Sequence, residues 1–449
     1  MKVTKFKEYI KGKNVSVIGI GISNRPLIKY LVSLGAFVTA YDKKSEEMLG
    51  EIAAELKSIG VKLVLGDNYL DSLSGDIIFK TPGMRYDNPK LLEAKNKGSI
   101  ITSEMEVFFE LCPATIIAVT GSDGKTTTTT LIYTMLKEAG FTAHLGGNIG
   151  TPLMTKAEEM SKTDYAVLEL SSFQLHTMKK SPHIAVITNI TPNHLDWHTD
   201  YEEYIDAKKN ISAHQGKEDI LVINNGNEET VKIGKNANAK VRSFSAKCDA
   251  LVHLENETIY YGDEEILKVS DIKVPGRHNV ENYMTAIAAV YNLVDKAVIN
   301  KVAREFGGVP HRIELVRTLD GVRYYNSSID SSPNRTINTL NVFSEPVVLI
   351  AGGKDKGIPY DEIGEPIAEH VKTLILIGAT SKVIDKAVKK TGKNVPTIFV
   401  ETYEEAVNAA KEAAVSGDVV LLSSASTSFD MFNNFEERGN LFKELVNKL

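Results

Sequence analysis

The sequence has few cysteines, and they are not arranged as a metal or disulfide framework would need. Only Cys112 and Cys248 occur in 449 residues, far apart along the chain. Small secreted domains and cysteine-based zinc modules depend on clustered cysteines. A disulfide scaffold is therefore excluded, and we expect a reducing compartment, with the cytoplasm as the simplest assignment.

Long apolar runs and blocks of basic charge are also missing. No apolar run approaches the roughly 20 residues that span a bilayer, and no apolar segment follows the charged first residues. Lysine and arginine total 52 against 58 aspartates and glutamates, which gives a net charge of -6. We therefore expect no export and no membrane insertion. We also expect no nucleic-acid partner, because a protein that binds the anionic backbone of a nucleic acid needs a basic patch.

Buried-strand patterns alternate with helical segments along the whole chain and predict an α/β fold of three domains. NVSVIGIGIS, RPLIKYLVSLG and AFVTAYD form a βαβ opening, which indicates a parallel sheet. A fresh apolar strand after Pro113 and the segment at Pro310 mark two boundaries. The predicted domains are a Rossmann-like N-terminal domain, a central domain with a mostly parallel sheet and a Rossmann-like C-terminal domain, at residues 1–111, 112–309 and 310–449.

A glycine-rich turn between the strand IIAVTG and a helix has the pattern of a phosphate-binding P-loop. Backbone N–H groups of such a turn approach phosphate oxygens, Lys125 would reach the terminal phosphates, and the Thr126 hydroxyl would bind Mg²⁺. Val119 stands where the strict GxxxxGK[ST] pattern has its first glycine, and Gly121 begins the turn instead. The pattern predicts that the central domain binds ATP through Gly121, Ser122, Asp123, Gly124, Lys125, Thr126 and Thr127.

The first glycine turn, VIGIGIS, leaves a second class of function open. With Asp42 at the end of the second strand, it has part of a dinucleotide-binding pattern, but Asn24 occupies the place of the third glycine. A nicotinamide oxidoreductase is thus disfavoured and would leave the P-loop unexplained. A non-catalytic P-loop switch, which binds nucleotide without substrate-dependent ADP release, is another alternative.

The P-loop and six further motifs resemble the Mur ligase family. TGSDGKTT is similar to the family's TGxNGKTT, with Asp123 in place of the usual asparagine. LELSSFQL, TNITPNHLDWH, DAKKNI, GRHNVEN, PHRIE and GGKDKG follow in the family's order, between residues 168 and 357. LELSSFQL, GIGIS and the closing STSFDMFNNFEERG are similar to the branch that adds D-glutamate. The same chemistry on another substrate, as in folate polyglutamylation, is the nearest alternative.

The resemblance implies a ligase that uses ATP and two Mg²⁺ ions through an acyl phosphate. The catalytic residues it implies are Lys125, Glu169, His194, Lys208 and Arg312. The metal ligands it implies are Thr126, Glu169, His194 and Lys208, with Lys208 carbamoylated (N6-carboxylated) so that it offers oxygen atoms. Without the resemblance, Lys208 would pass for a solvated helix lysine, and a strand-end acid such as Glu169 for an exposed carboxylate.

The resemblance also assigns the nucleotide's other contacts. Asn279 and Asn282 belong to the adenine region, and Arg312 to the transferred phosphate. Two alternatives stay open, because Asn279 at a helix start has the pattern of an N-cap and Arg312 that of an interdomain ion pair.

The substrates implied by the resemblance are UDP-N-acetylmuramoyl-L-alanine and D-glutamate, bound by a monomer. The UDP-linked substrate would contact Ser23, Asn24, Asp42, Lys43, Gly83, Asn148 and His194. D-Glutamate would contact Lys356, Ser428, Phe429, Phe435 and Ser331. The segment NSSIDSSPNRT departs from the family's NDSKATN, since Ser327 replaces an acid expected near the ribose, and Asp330 is the candidate substitute.

Overall fold

A computed structural model describes residues 3–21, 23–195, 197–355 and 359–449. The fold is mixed α/β with three mostly parallel sheets, as predicted. The chain divides into two compact units, Met1–Asp271 with Val280–Val302 and Ile272–Asn279 with Ala303–Leu449. Within the described residues, no helix has the length and apolar character needed to cross a membrane.

The first sheet has five parallel strands in the order β3-β2-β1-β4-β5. Because the strand order reverses between β1 and β4, a ligand crevice is expected at the carboxyl ends of these two strands. The strands are β1 (Asn14–Ile18), β2 (Phe37–Asp42), β3 (Lys62–Leu65), β4 (Ile77–Phe79) and β5 (Ile100–Thr102). The accompanying helices are α1 (Val3–Ile10), α2 (Asn24–Ser33), α3 (Glu46–Leu49), α4 (Glu51–Ser58), α5 (Pro89–Asn96) and α6 (Glu104–Leu111).

The second sheet has nine strands in the order β14-β13-β12-β11-β10-β9-β6-β8-β7, with only β13 and β14 added antiparallel. The strands are β6 (Thr115–Thr120), β7 (Ala143–Gly147), β8 (Tyr165–Glu169), β9 (Ile184–Ile187), β10 (Ile220–Asn224), β11 (Lys240–Ser245), β12 (Val252–Glu255), β13 (Thr258–Tyr261) and β14 (Glu264–Lys268). The helices are α7 (Lys125–Glu138), α8 (Ser172–Leu175), α9 (Tyr201–Lys209), α10 (Glu228–Lys235), α11 (Arg277–Val290) and α12 (Lys296–Glu305). Strands β6, β8 and β9 are almost continuously apolar because helices cover both faces of a parallel sheet.

The third sheet has six strands in the order β15-β16-β20-β17-β18-β19, and only β15 and β16 pair antiparallel. The strands are β15 (Glu314–Leu319), β16 (Val322–Asn326), β17 (Val347–Ala351), β18 (Val371–Ile377), β19 (Thr397–Val400) and β20 (Val419–Leu422). The helices are α13 (Pro333–Leu340), α14 (Gly364–His370), α15 (Ser381–Lys390), α16 (Tyr403–Ala413) and α17 (Phe435–Lys448). Buried side chains on both faces of this sheet form two apolar clusters.

Candidate active site

The P-loop follows β6 as predicted, and its two glycines occupy positions that a side chain would disturb. Gly121 has φ +149°, and a Cβ there would lie 1.9 Å from the Thr188 Oγ1. Gly124 has φ +75° and caps α7, and a Cβ there would lie 2.4 Å from the Asn282 Oδ1. Both backbone conformations favour glycine. The glycines therefore let the loop close tightly against its neighbours.

Hydrogen bonds from the segment after β9 fix the conformation of the P-loop. The Ser122 N–H donates to the Asn189 carbonyl at 2.9 Å, and the Asp123 N–H donates to the Asn189 side-chain oxygen at 2.9 Å. The Ser122 hydroxyl donates to the Thr191 carbonyl and accepts from the Thr191 N–H, both at 2.9 Å. It also lies 2.8 Å from the Tyr204 hydroxyl on α9. The loop conformation is therefore fixed by the protein itself.

We expect Gly121→Ala to abolish ATP binding, because the added methyl group meets the Thr188 hydroxyl and the loop must open to accommodate it. Gly140→Ala is the matched control, since Gly140 follows the other end of α7 with φ +88° and has no atom within 4 Å of its Cβ position. The control should lose only about 1 to 2 kcal/mol of stability from its left-handed backbone. Calorimetric titration with an ATP analogue measures the affinity of both variants. Equal affinities would show that the loop does not need to close tightly at Gly121.

Lys125 and Thr126 begin α7, where the helix start favours negative charge. The Lys125 ammonium lies across the loop and donates to the carbonyl oxygens of Gly121 at 3.0 Å and Ser122 at 2.8 Å. Thr126 is buried at the second position of the helix. The structure thus places a cation and a hydroxyl at the point where a P-loop holds phosphate and Mg²⁺.

Glu169 lies at the end of β8, in register with Val119 of β6, so its carboxylate is at the base of the P-loop. It is buried, not exposed, and its Oε1 accepts from the Asn148 side-chain amide at 2.9 Å. The Oε2 atom is buried and has no hydrogen-bond partner among the described residues. Since an unsatisfied buried carboxylate oxygen is costly, this atom fits a metal ligand. The contact also brings together Asn148 and Glu169, which were predicted for different ligands.

Lys208 is a buried residue of α9, which excludes the solvated helix lysine. Its Nζ donates to the Gly121 carbonyl at 2.7 Å and lies 4.8 Å from the centre of the Tyr204 ring. Burial lowers the pKa of Lys208 well below its usual value, and the nearby charge of Lys125 lowers it further. The charges of Glu169 and Asp123 oppose that shift. The sequence-predicted lysines and acids therefore do meet around the P-loop.

His194 lies on the exposed loop after β9 and has a left-handed backbone, with φ +54°. Its ring packs edge-on against Phe173 at 5.1 Å between ring centres. Phe173 belongs to α8, the helix that follows Glu169 and β8. A non-glycine residue at positive φ is uncommon, although histidine adopts it more readily than most residues. The structure thus places His194 on the side of the site that faces the end of β8.

The predicted UDP-binding residues follow β1, β2 and β4 of the first sheet. Asn24 is buried, and its amide donates to the carbonyls of Ile18 and Gly19 at 3.0 Å. The Asp42 carboxylate accepts from the Ile20 N–H at 2.6 Å and the Lys44 N–H at 2.9 Å. Both side chains therefore shape the glycine turn. Ser23, Lys43 and Gly83 lie beside them and are exposed, and their roles stay predictions.

The adenine-region residues lie in α11, which begins at Arg277. Asn279 is therefore the third residue of the helix and not its N-cap; its amide donates to the Pro275 carbonyl at 2.5 Å. Asn282 is buried, and its Oδ1 accepts from the Thr128 hydroxyl of α7 at 3.4 Å. Asn282 is thus close to the P-loop, at Gly124.

Arg312 lies in a turn before β15 with an unusual backbone on both sides. His311 has φ +64° and Ile313 has φ +47°.

Asp330 is buried, and its Oδ2 accepts from the hydroxyls of Thr339 at 2.7 Å and Ser423 at 2.8 Å. Burial raises the pKa of Asp330, whereas these hydrogen bonds and the charge of Arg312 lower it. Asp330 is thus held in a buried hydroxyl network, and Ser331, half-buried, precedes α13.

The predicted amino-acid residues lie around the end of β20 and the start of α17. Ser428 is buried, whereas Phe429 is 60 % exposed. The Phe435 ring packs edge-on against His311 at 5.9 Å between ring centres. Phe435 therefore contacts the turn that carries Arg312. Lys356 lies outside the described residues.

Arg438 was not among the residues predicted from the sequence, and its side chain is fully buried. Its guanidinium donates to the Ser328 hydroxyl at 2.9 Å, the Ser328 carbonyl at 2.6 Å and the Ser426 carbonyl at 3.1 Å. Arg438 thereby connects NSSIDSS, the segment that departs from the family's pattern, to the STSF segment. The arginine of the FEERG motif is the sequence signal for this contact. Because a guanidinium has five N–H donors, a buried arginine needs several acceptors around it.

Comparisons with known proteins agree with this geometry. Residues 119–290 match the Mur ligase middle domain, and residues 311–426 match the Mur ligase glutamate ligase domain. The chain is 55 % identical to the UDP-N-acetylmuramoylalanine--D-glutamate ligase of Acetivibrio thermocellus, over 100 % of this chain and 99 % of that protein. It is 54 % identical to the protein of the same name from Ruminiclostridium cellulolyticum, again over 100 % and 99 %.

A solved structure shows a similar fold at much lower identity. The crystal structure of UDP-N-acetylmuramate-alanine ligase from Thermotoga maritima superposes with a TM-score of 0.59 at 21 % identity, covering 97 % of this chain and 99 % of that one. The full-length identity to the two relatives is far higher. By that identity, and with both domain matches in the expected order, the chain belongs to the Mur ligase family.

Proposed function

We propose that this chain is an ATP-dependent ligase that adds D-glutamate to UDP-N-acetylmuramoyl-L-alanine through an acyl phosphate. The observation that carries the proposal is the convergence of the P-loop, Glu169 and Lys208 at the end of β6. The names of the full-length relatives support the choice of substrates. A monomer, a cytoplasmic location and domain borders after residues 111 and 309 are part of the proposal.

The residues around the P-loop fit Mg²⁺. The buried Glu169 Oε2 is a hard oxygen ligand with no hydrogen-bond partner among the described residues, and the Thr126 hydroxyl lies at the start of α7. A second ion would be held by His194 and carbamoylated Lys208. Mg²⁺ at these positions neutralises negative charge on the phosphates.

The reaction we propose has two steps. A carboxylate oxygen of the L-alanyl group attacks the γ-phosphorus of ATP, the bond to the bridging oxygen breaks, and ADP leaves. The amine nitrogen of D-glutamate then attacks the carbonyl carbon of the acyl phosphate, inorganic phosphate leaves with the C–O electrons, and the amine loses a proton. Lys125 and the N–H groups at the start of α7 bind the phosphates, and Arg312 binds the transferred group.

The amino-acid site would combine cations and hydroxyls for two carboxylates with aromatic side chains that exclude water. Lys356, Ser428 and Ser331 are the proposed polar contacts, and Phe429 and Phe435 the aromatic ones. Arg438 supports this site by holding Ser328 and the carbonyl of Ser426. The proposed contacts include no carboxylate for a second amine, so the site would favour glutamate over a diamino acid.

We expect ADP release to require UDP-N-acetylmuramoyl-L-alanine and D-glutamate together, with L-glutamate and L-lysine as poor replacements. L-Lysine lacks the second carboxylate, and a site built to hydrogen-bond a group rejects an analogue without it by about 10⁴-fold. L-Glutamate has both carboxylates but cannot place them as the D-isomer does. Coupled measurement of ADP with a panel of D- and L-amino acids tests this. Comparable turnover with L-lysine would refute the amino-acid assignment, and a requirement for a folate substrate would favour the other ligase. Nucleotide binding without substrate-dependent ADP release would favour the switch.

A further inference from the structure

One arginine joins the first sheet to the second within the same compact unit. Arg85 lies in the turn after β4, two residues beyond Gly83, and reaches Glu203 on α9. Its Nη2 donates to the Glu203 Oε1 at 2.9 Å and its Nη1 donates to the Glu203 Oε2 at 3.1 Å. Nη1 also donates to the Trp197 carbonyl at 3.0 Å. This bidentate geometry is the strong form of an arginine–carboxylate pair.

Trp197 makes a second connection between the two sheets, in which the His194 loop supplies the donor and the turn after β4 supplies the acceptor. Its indole N–H donates to the Gly83 carbonyl at 2.9 Å, and the Arg85 guanidinium lies 5.1 Å from the centre of its ring. On its other side the ring packs against Phe173 at 4.6 Å. The turn at Gly83 and the loop that carries His194 are therefore held together by an ion pair, two hydrogen bonds and a cation–π contact. We call Arg85, Trp197 and Glu203 the inter-sheet clamp.

The charges of the clamp are balanced and largely covered. The side chains of Arg85 and Glu203 are 24 % and 17 % exposed. Hydrogen bonding to Arg85 is the main cause that lowers the pKa of Glu203, to about 2. Glu203 is thus charged at any pH at which the enzyme would be assayed. Because the pair is partly shielded and bidentate, it is expected to hold its geometry better than an exposed pair does.

His176 and His198 also lie beside Glu203, and the three residues place their ligand atoms within 4.8 Å of one another. This group does not favour a cation, because both Glu203 oxygens already accept hydrogen bonds. They accept from Arg85, from Thr199 and from the His176 Nε2 at 3.1 Å. Burial lowers the pKa of both histidines, to about 4 for His198, so the imidazoles are neutral. Arg85 therefore remains the cation that pairs with Glu203.

We propose that Arg85 is a positioning residue that fixes the distance between the UDP-binding turn and the His194 loop. The inference rests on the proposed function, in which one substrate spans from its diphosphate at the first sheet to its carboxylate at the P-loop of the second. The His194 loop is tied to the P-loop at Thr191 and to the first sheet at Trp197. A shift between the sheets would therefore misplace the carboxylate, and a misplacement of about 1 Å is enough to cost about 100-fold in rate.

The test compares Arg85→Gln with Asp87→Asn in the full chain. Asp87 accepts from the same guanidinium at 2.8 Å but lies on the same turn as Arg85, so it does not join the sheets. We expect Arg85→Gln to raise the KM for the UDP-substrate by about 10-fold or more and to lower kcat, with the KM for ATP and D-glutamate unchanged. Asp87→Asn should keep all three values. Glu203→Gln should reproduce Arg85→Gln, and the double variant should lose little more.

Hydrogen exchange makes the result independent of the activity. In Arg85→Gln without any substrate, amides of residues 191–199 should exchange faster, while those of β6 should not change. If the unchanged protein releases no ADP with the UDP-substrate, the proposed function fails, whereas faster exchange still supports the clamp. Unchanged exchange, an unchanged KM for the UDP-substrate, or an equal rise in all three KM values would overturn the proposal. Should Arg85→Gln not fold, Arg85→Lys keeps the charge without the bidentate fork and serves in its place.

Discussion

Replacing Lys208 is expected to lower the rate of ADP release by about 100-fold or more, whereas replacing its neighbour Lys209 should leave the rate nearly unchanged. The two lysines are adjacent in α9 but lie in different surroundings. Lys208 is buried beneath the P-loop, and Lys209 is 52 % exposed with a loose ion pair to Asp206 at 3.8 Å. The comparison therefore separates a residue of the site from a surface lysine of the same helix.

The physical basis is the state of the Lys208 amine. Carbamoylation joins a neutral amine to carbon dioxide and releases a proton, and burial favours the neutral amine by lowering the pKa of Lys208. The carbamate would turn a buried cation into an oxygen ligand for Mg²⁺. Because truncation to alanine also opens a cavity, Lys208→Met is the better variant, since it keeps most of the volume.

Three measurements check this prediction. Thermal unfolding confirms that Lys208→Met and Lys209→Ala are folded, ADP release gives their rates, and carbon-13 NMR with labelled carbon dioxide detects the carbamate. Short carboxylic acids added to Lys208→Ala should restore part of the activity by supplying the missing oxygen ligand. Near-normal and similar rates for the Lys208 and Lys209 variants would show that Lys208 is not a metal ligand.

Glu169→Gln is expected to lower ADP release by about 100-fold or more while leaving the stability of the protein within about 1 kcal/mol. The glutamine oxygen retains the bond from Asn148, and its amide replaces the buried Oε2 that has no partner among the described residues. Folding therefore loses little, because the exchange removes a buried charge whose Oε2 atom accepts no hydrogen bond from the described residues. The metal, in contrast, loses an anionic ligand.

A titration of ADP release with Mg²⁺, set beside thermal unfolding, measures both sides of this prediction. Glu255→Gln is the control, because Glu255 also ends a strand of the second sheet but is exposed. We expect Glu169→Gln alone to need more Mg²⁺. A rate within about threefold of the unchanged protein, with the same Mg²⁺ dependence, would remove Glu169 from the metal site.

The parts of the fold that the sequence predicts are those with a local pattern. A few consecutive residues are enough to specify an apolar strand, a glycine turn or the helix start at Lys125. The α/β class and the strand–turn–helix of the P-loop are therefore correctly predicted. Strand order is different, because β6 pairs with β8 and β9 through long crossovers that no local pattern specifies.

The site shows the same division between local and distant information. Lys208 has charged neighbours in α9, so the local pattern favours exposure, and only the packing of α9 against the end of β6 buries it. Arg85 and Glu203 are 118 residues apart and carry no motif in common. Asn279 shows that even a local signal is imprecise, since the helix begins at Arg277, three residues earlier than an N-cap at Asn279 would require.

The central place of β6 also determines the stage of synthesis at which the P-loop can form. Val119 pairs with Glu169 on one side and with Val186 on the other, and the loop beyond it is braced by Asn189. A nascent chain that ends before β9 therefore carries an apolar strand with an open edge, which is prone to aggregate. Such distant parallel partners form slowly. Nucleotide should therefore engage the second sheet only after β9 has paired, and ATP would act on the folding chain as a ligand that stabilises the completed sheet around β6.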